Sequence, residues 1–597
     1  MDMSAFAGEA MPTLEDMQHW TWVMGRAQQM MMEHMAEMAS KQPSQSVASS
    51  VAQLWDPAYW QEQMTNMPKF DPTQLFEMQS QFWQQGLNFW QGLLAGEVPG
   101  DDAKPANSKV DRRFQAEEWN SHPAFSTLAQ GYTMVAEHLL RLTDTVDGVD
   151  PKAKAQLRFA MQNIVDASAP SNFVFTNPAV IRKTIETKGQ NLLTGLEHML
   201  TDIRKGQLTH TDPNAFELGR NIAVTPGKVV HETALYQLIQ YSPATDKVLQ
   251  TPMIIFPPWI NRFYILDLNE KKSFVKWAVE QGITLFMVSW KSADSSMRDI
   301  IWDDYVRSQI DAIDTVRELL DVPDVHTIGY CVAGTTLAAT LAMLAARDQA
   351  DKVKSATFFT AQVDFAHAGD LKLFIDDQQL KLIDTVAADC GYLDGRYMAA
   401  TFNMLRGRDL IWNYVVNNYL LGEDYPPFDL LHWNGDTTNL PVKWHKAYLA
   451  DLYRDNKLVQ PGAITIDGTP IDLRKITTPV LVQAGKEDHI APADSVWKIM
   501  DHVAGDREFM LAGSGHIAGV VNPPAAKKYQ YWTNPEETGS LEAFIAGAEE
   551  HPGSWWPYWL QWLEKQAPKK VAAKGARIPG KGDKPAIEDA PGRYVKQ

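Results

Sequence analysis

Cysteine is nearly absent from this chain. Two residues in 597, Cys331 and Cys390, exclude a disulfide framework, so each must be explained by its own setting. Basic charge is in deficit as well: 55 Lys and Arg against 73 Asp and Glu give a net charge of −18. That balance argues against a general nucleic-acid binder, which carries a basic patch or stripe. No run approaches the roughly 20 apolar residues that cross a bilayer, and stretches such as Ile283–Trp290 are only strand-length. The start does not read as an export signal. Met1–Lys41 carries Asp2, Glu9, Glu15 and Asp16 and lacks a basic start followed by a compact apolar run. Hydrophobic residues make up 45% and charged ones 21%, the composition of a folded protein. The length calls for more than one folding unit. A soluble, cytoplasmic, enzyme-sized protein is expected.

Two textures divide the chain. Up to about residue 210 the pattern is helical. Phe125, Leu128, Tyr132, Val135, Leu139 and Leu142 recur at steps of three and four and predict an amphipathic helix over Phe125–Leu142. Met30–Met32, Met35 and Met38 suit either core packing or docking onto a partner or hydrophobic particle. Val98–Asn107 reads as a linker. From 211 onward, strand-length apolar runs (Met253–Phe256, Ile283–Trp290, His326–Gly329, Ala356–Thr360, Val480–Ala484, Glu508–Leu511) alternate with helical stretches. Such alternation predicts a parallel sheet covered by helices on both faces. It breaks over about 365–476, too long for a loop and expected to be an inserted cap. Ser554–Leu563, with four Trp in ten residues, either packs onto the domain or forms an exposed partner surface. The Lys-rich stretch of about 565–597 reads as a flexible basic segment.

The chemistry concentrates at Gly329-Tyr-Cys331-Val-Ala-Gly334. A strand, a nucleophile flanked by small residues and then a helix is the layout of a nucleophile elbow, with Cys in place of Ser. The helix N-terminus favours the thiolate there. Cys390, in Ala-Ala-Asp-Cys-Gly, has no such setting and reads as structural. In this fold the acid and then the histidine follow downstream of the elbow. Asp488 lies in the loop after Val480–Gly485, and His516 sits between glycines after the next strand. Glu487 is the rival acid and His489 the rival base. One oxyanion donor is expected to be the Val332 N–H and the second the N–H of Ile260, with Asn261 close behind. There is no G-x-x-x-x-G-K-[ST], dinucleotide fingerprint, paired C-x-x-C or H-E-x-x-H, so neither cofactor nor metal is indicated.

Several strings resemble one family, the class I polyhydroxyalkanoate synthases. They are Asn214–Asn221 (NAFELGRN), Pro257-Pro-Trp-Ile-Asn261, Tyr264-Ile-Leu-Asp-Leu268, Trp302-Asp-Asp-Tyr305, Gly329-Tyr-Cys331 and Trp412-Asn-Tyr-Val-Val416. Further along come Trp433-Asn-Gly-Asp436, Glu487-Asp-His-Ile490, Gly515–Pro523, Ser554-Trp-Trp-Pro557 and Pro591-Gly-Arg-Tyr-Val-Lys596. The resemblance covers the chain from about Gln156 onward. It departs at Ala333, where the family box has Gly, which bears on turn geometry. It implies an α/β-hydrolase fold with an inserted cap over about 365–476, after a helical N-terminal domain of 1–210. It also implies polymerisation of (R)-3-hydroxyacyl-CoA, chiefly 3-hydroxybutyryl-CoA, into an intracellular polyester through an acyl-Cys331. Further implications are a homodimer, the polyester granule surface with its associated proteins, and an N-terminal domain that serves these contacts. Two rivals share the fold: a Cys-dependent thioesterase, and a non-catalytic granule scaffold.

Overall fold

A computed structural model of the chain describes residues 111–147 and 150–597 except 537, with short stretches nearer the start (22–23, 25–33, 69–70, 80–81 and 84). It divides into two compact units, Met1–His210 with Ala400–Pro426, and Thr211–Ala399 with Pro427–Gln597.

The first unit is helical: α1 (Pro123–Asp144), α2 (Pro151–Ala167), α3 (Pro178–Glu186) and α4 (Gln190–Lys205). Each of the first three opens on proline, whose missing N–H would be unpaired there anyway. Asp150 and Asn177 cap α2 and α3 by accepting backbone N–H bonds. The helix expected over 125–142 is present, yet its buried residues are Ser126, Ala136 and Thr143, while Leu128 and Val135 stay exposed. Residues 400–426, expected to belong to one continuous cap, group with these helices. Asp166 of α2 takes both Arg113 (3.1 Å) and Arg408 (2.9 Å), and Asp202 of α4 accepts from the Tyr419 hydroxyl at 2.6 Å. A Cβ on Gly195 would sit 1.8 Å from the Tyr419 carbonyl oxygen, so only glycine allows this approach. Of the methionine cluster, Met31 and Met32 are exposed, and Met35 and Met38 lie outside the described residues, as does the linker at 98–107.

Among the described residues the second unit holds an eleven-stranded sheet. Its strands are β1 (Gly227–Glu232), β2 (Tyr236–Tyr241), β3 (Met253–Phe256), β4 (Leu285–Trp290), β5 (Val325–Tyr330) and β6 (Val353–Phe359). They continue with β7 (Val480–Gly485), β8 (Arg507–Ala512), β9 (Gln530–Thr533), β10 (Glu549–Pro552) and β11 (Glu588–Asp589). The spatial order is β10-β9-β8-β7-β6-β5-β3-β4-β2-β1-β11. From β4 to β8 every neighbouring pair is parallel, and the pairs flanking that block are antiparallel. Alternation along β3 shows why both faces are covered. Ile254 and Phe256 join a core with α6 (Trp302–Leu320) and α7 (Val332–Ala346), while Met253 and Ile255 join another with α5 (Phe274–Glu280) and α8 (Trp556–Gln566). This is the α/β-hydrolase architecture.

The aromatic tail packs inward. Trp555, Trp556 and Trp559 are fully buried, and the first two donate indole N–H bonds to the Gly519 and Val520 carbonyls (2.7 and 2.9 Å). The expectation of a flexible segment over 565–597 is corrected. Lys570–Ala572 pairs with Lys247–Leu249, and β11 pairs with β1. Arg577 is buried and donates to the Leu249 and Gln250 carbonyls and to Thr284 Oγ1. Backbone pairing and one buried guanidinium hold the strap, and composition carries no signal of either.

Candidate active site

The elbow forms because β5 runs straight into α7 with no room for side chains between them. Cys331 takes φ +52° and ψ −129°, a strained conformation for a residue other than glycine. A Cβ on Gly329 would lie 2.5 Å from Gly334 Cα, and one on Gly334 would lie 2.5 Å from the Ala361 methyl. The close approach therefore falls on Gly334. Ala333 points elsewhere, fully buried, with its carbonyl accepting from Gln309 Nε2 at 3.0 Å. The departure at position 333 thus leaves the turn intact. The Cys331 N–H stays in the sheet, donating to the Phe359 carbonyl at 3.0 Å. Val332 opens α7, so its N–H has no carbonyl four residues back to take it.

Asp488 and His516 arrive from the ends of β7 and β8. The Asp488 side chain is fully buried, and its Oδ1 accepts from the Ile490 and Ala491 N–H groups at 2.8 and 2.9 Å. Its Oδ2 accepts from His516 Nδ1 at 2.7 Å. The same imidazole is within hydrogen-bond reach of Cys331, which leaves Nε2 for the sulfur. Burial pulls the His516 pKa down, but Asp488 and then Cys331, each by charge and by hydrogen bonding, more than offset it, and the value rises from 6.5 to about 10. The Tyr330 hydroxyl donates to the His516 carbonyl at 3.0 Å and fixes the loop. Of the rivals, Glu487 is exposed, and His489 is the residue next to an acid already engaged by His516. His326, at the start of the elbow motif, is buried with Nδ1 on Ser355 Oγ (2.8 Å). Its pKa falls to about 3, so it is a neutral core residue.

The loop at 257–262 is pinned on both sides of Ile260. The carbonyls of Pro257, Trp259 and Arg262 accept from Trp290 Nε1 (2.8 Å), Thr438 Oγ1 (2.6 Å) and Trp433 Nε1 (2.7 Å). Trp259 also stacks on Tyr305 with ring centroids 3.9 Å apart. Cys390 is half-buried with its thiol on the Tyr392 carbonyl (3.0 Å). Among the described residues no cluster of three His, Cys, Asp or Glu side chains is arranged to hold a metal ion.

Three residues at the site escape sequence reasoning: Gln362, Tyr448 and Tyr453. The Tyr448 and Tyr453 rings meet edge to face with centroids 5.4 Å apart, and Gln362 Nε2 donates to the Tyr453 hydroxyl at 3.3 Å. Over Tyr448–Arg454 the helix widens to i→i+5 bonding, with the Asp455 N–H on the Ala450 carbonyl at 2.9 Å. Residues five apart then share a face, a spacing that a 3.6-residue period places on different faces.

The fold and this constellation define an α/β-hydrolase-fold protein with cysteine at the nucleophile elbow. A family model of the N-terminus of poly-beta-hydroxybutyrate polymerase (PhaC) matches residues 110–278, and one of the alpha/beta hydrolase fold matches 253–523. A poly(3-hydroxyalkanoate) polymerase of Methylorubrum extorquens is 44% identical over 535 residues, covering 88% of this chain and 87% of the relative. Poly(3-hydroxyalkanoate) polymerase subunits PhaC of Rhizobium meliloti and Cupriavidus necator are each 42% identical over 88% of this chain, and over 86% and 89% of their own lengths. The chain belongs to the poly(3-hydroxyalkanoate) polymerase family.

Proposed function

We propose that this chain polymerises (R)-3-hydroxyacyl-CoA, chiefly 3-hydroxybutyryl-CoA, into a polyester and releases CoA, with the acyl group held on Cys331. The observation that carries the reading is the Cys331–His516–Asp488 constellation in a chain of the polymerase family. With its proton already on His516, Cys331 attacks the thioester carbonyl. The Val332 N–H and the Ile260 N–H stabilise the oxyanion. The bond to CoA breaks, and CoA leaves with the proton from His516. The 3-hydroxyl of another unit then loses its proton to His516 and attacks the acyl thioester, forming an ester and freeing the cysteine. Asp488 orients His516 or helps activate that hydroxyl. A cysteine suits a thioester substrate because thiol exchange is nearly balanced and keeps the acyl group activated. The stretches 365–399 and 427–476 serve as a cap whose aromatic side chains keep water from the acyl-enzyme.

The same reading makes the protein a cytoplasmic homodimer at the surface of its polymer, with the helical N-terminal domain of 1–210 contacting the granule, its associated proteins or the partner copy. In support, no helix among the described residues is long and apolar enough to cross a membrane. The test is incubation with (R)-3-hydroxybutyryl-CoA, following CoA release with a thiol reagent and weighing polymer against free acid, beside Cys331→Ala. Polymer with CoA release, both lost in the variant, is the expected outcome. Free acid alone would make the protein a thioesterase, and ordinary turnover by Cys331→Ala would overturn the nucleophile. Asp488→Asn is expected to acylate but elongate slowly, and an unchanged polymer yield would remove its role.

A further inference from the structure

Gln483 lies within β7, in the apolar core, with no bonding partner for its side chain. It is fully buried, and neither the oxygen nor the nitrogen of its amide meets a hydrogen-bonding group among the described residues. Val480, Val482 and Ala484 of β7 join the core with α6 and α7, so Leu481, Gln483 and Gly485 face the other side of the sheet. The register neighbours of Gln483, Phe359 of β6 and Met510 of β8, are both apolar and belong to that second core. A side-chain amide carries two donors and two acceptor lone pairs. Burying it unmet costs more than burying an apolar side chain of the same shape.

The same face of β7 runs beneath the loop that carries His516. A Cβ on Gly485 would lie 3.1 Å from the Ser514 carbonyl oxygen and 3.3 Å from that of Gly515. Those carbonyls accept from the Glu487 N–H (3.0 Å) and the Gly519 N–H (2.8 Å), and each has a second lone pair. The loop needs restraint here. Ser514, two residues before the histidine, takes φ +90°, which a residue other than glycine keeps only where its surroundings impose it. Further along, the Tyr330 hydroxyl holds the His516 carbonyl (3.0 Å) and Trp555 Nε1 holds that of Gly519 (2.7 Å). Donors without acceptors and carbonyls with spare lone pairs thus share one face of one strand. A water that accepts from the Gln483 Nε2–H and donates to a loop carbonyl satisfies both.

We propose that Gln483 holds buried water against the Ser514 and Gly515 carbonyls and is thereby a positioning residue for His516. Its part in turnover rests on the function stated above, whereas the hydration stands on the geometry alone.

The experiment pairs a crystal structure of the full wild-type chain with thermal unfolding and first-turnover kinetics on (R)-3-hydroxybutyryl-CoA for wild type and Gln483→Met. Methionine matches glutamine in length and flexibility but has no N–H to offer. Ordered water bridging the amide to at least one of the two carbonyls is expected in the crystal. Gln483→Met is expected to unfold at a lower temperature and to lose about tenfold or more in kcat with KM unchanged, because a displaced His516 misaligns proton transfer without touching substrate binding. A dry amide in the crystal would overturn the proposal, whether or not the variant folds. So would a variant that is more stable than wild type with normal turnover, the behaviour of a misplaced polar residue in an apolar core. Lower stability with unchanged kcat would overturn the positioning role and leave the water structural. Failure of the wild type to release CoA would sink the polymerase reading and the role in turnover with it, while the crystal structure and the unfolding temperature would still decide the hydration.

Discussion

Burial alone would keep His516 neutral at pH 7, and the two charges beside it reverse that preference. Because its folded value of about 10 lies above the unfolded 6.5, the linked stability is fully present below pH 6.5 and is lost as pH rises through about 10. The size is on the order of a few kcal/mol. Wild type should lose urea stability between pH 7 and 10.5 faster than His516→Gln, which lacks the titrating group. Parallel declines in the two proteins would mean that the pair is not charged in the native state. The Cys331, Asp488 and His516 positions were legible in the sequence because each lies just after a strand, Cys331 and His516 among glycines, and chain order supplied the pairing. The tyrosine pair was not legible, since the wide helical turn that joins Tyr448 to Tyr453 leaves no 3.6-residue signature.

The legible strands were those buried on both faces. β3, β4 and β7 are near-continuous apolar runs, and β3, β4, β5 and β7 are buried throughout. β1, β9, β10 and β11 are short or polar strands toward the sheet's two ends, as in Glu549–Pro552 (EEHP), and alternation has nothing to register there. The elbow shows how one position is misjudged from a motif alone. A glycine is expected at 333, yet the close approach belongs to Gly334, packed on Gly329 and Ala361. Gly334→Ala should therefore cost about 1–3 kcal/mol of stability and depress CoA release strongly, as overpacking displaces Cys331. Ala333→Gly should cost under about 1 kcal/mol, the ordinary penalty for glycine in a helix, and leave turnover within about twofold. Urea unfolding with a first-turnover assay checks both, and a reversed order would move the steric constraint to position 333.

At the scale of the whole chain, distant segments are tied together by single close approaches. Residues 400–426 leave the hydrolase unit and are held within the helical one where Gly195 meets the Tyr419 carbonyl oxygen. Gly195→Val should therefore loosen that segment, seen as faster hydrogen exchange over 400–426 with the β3–β8 amides unchanged. The strap reaches the site by another route. Arg262 is the last residue of the proposed oxyanion loop. It is buried and donates to Asp436 (3.2 Å), to the Tyr594 carbonyl (3.4 Å) and to the Gln597 carbonyl. Asp436 also accepts from the Tyr264 hydroxyl at 2.9 Å, so loop, strap and the residues after Trp433 share one ionic knot. Lysine at 262 would keep the charge but lose the forked guanidinium, which alone reaches three partners at once. Arg262→Lys should lower the first-turnover rate about tenfold with little change in KM, because a loosened loop misplaces a transition-state donor and leaves ground-state binding alone. A loss confined to KM would tie Arg262 to substrate binding. A loss of unfolding midpoint with a normal first turnover would limit the knot to holding the strap.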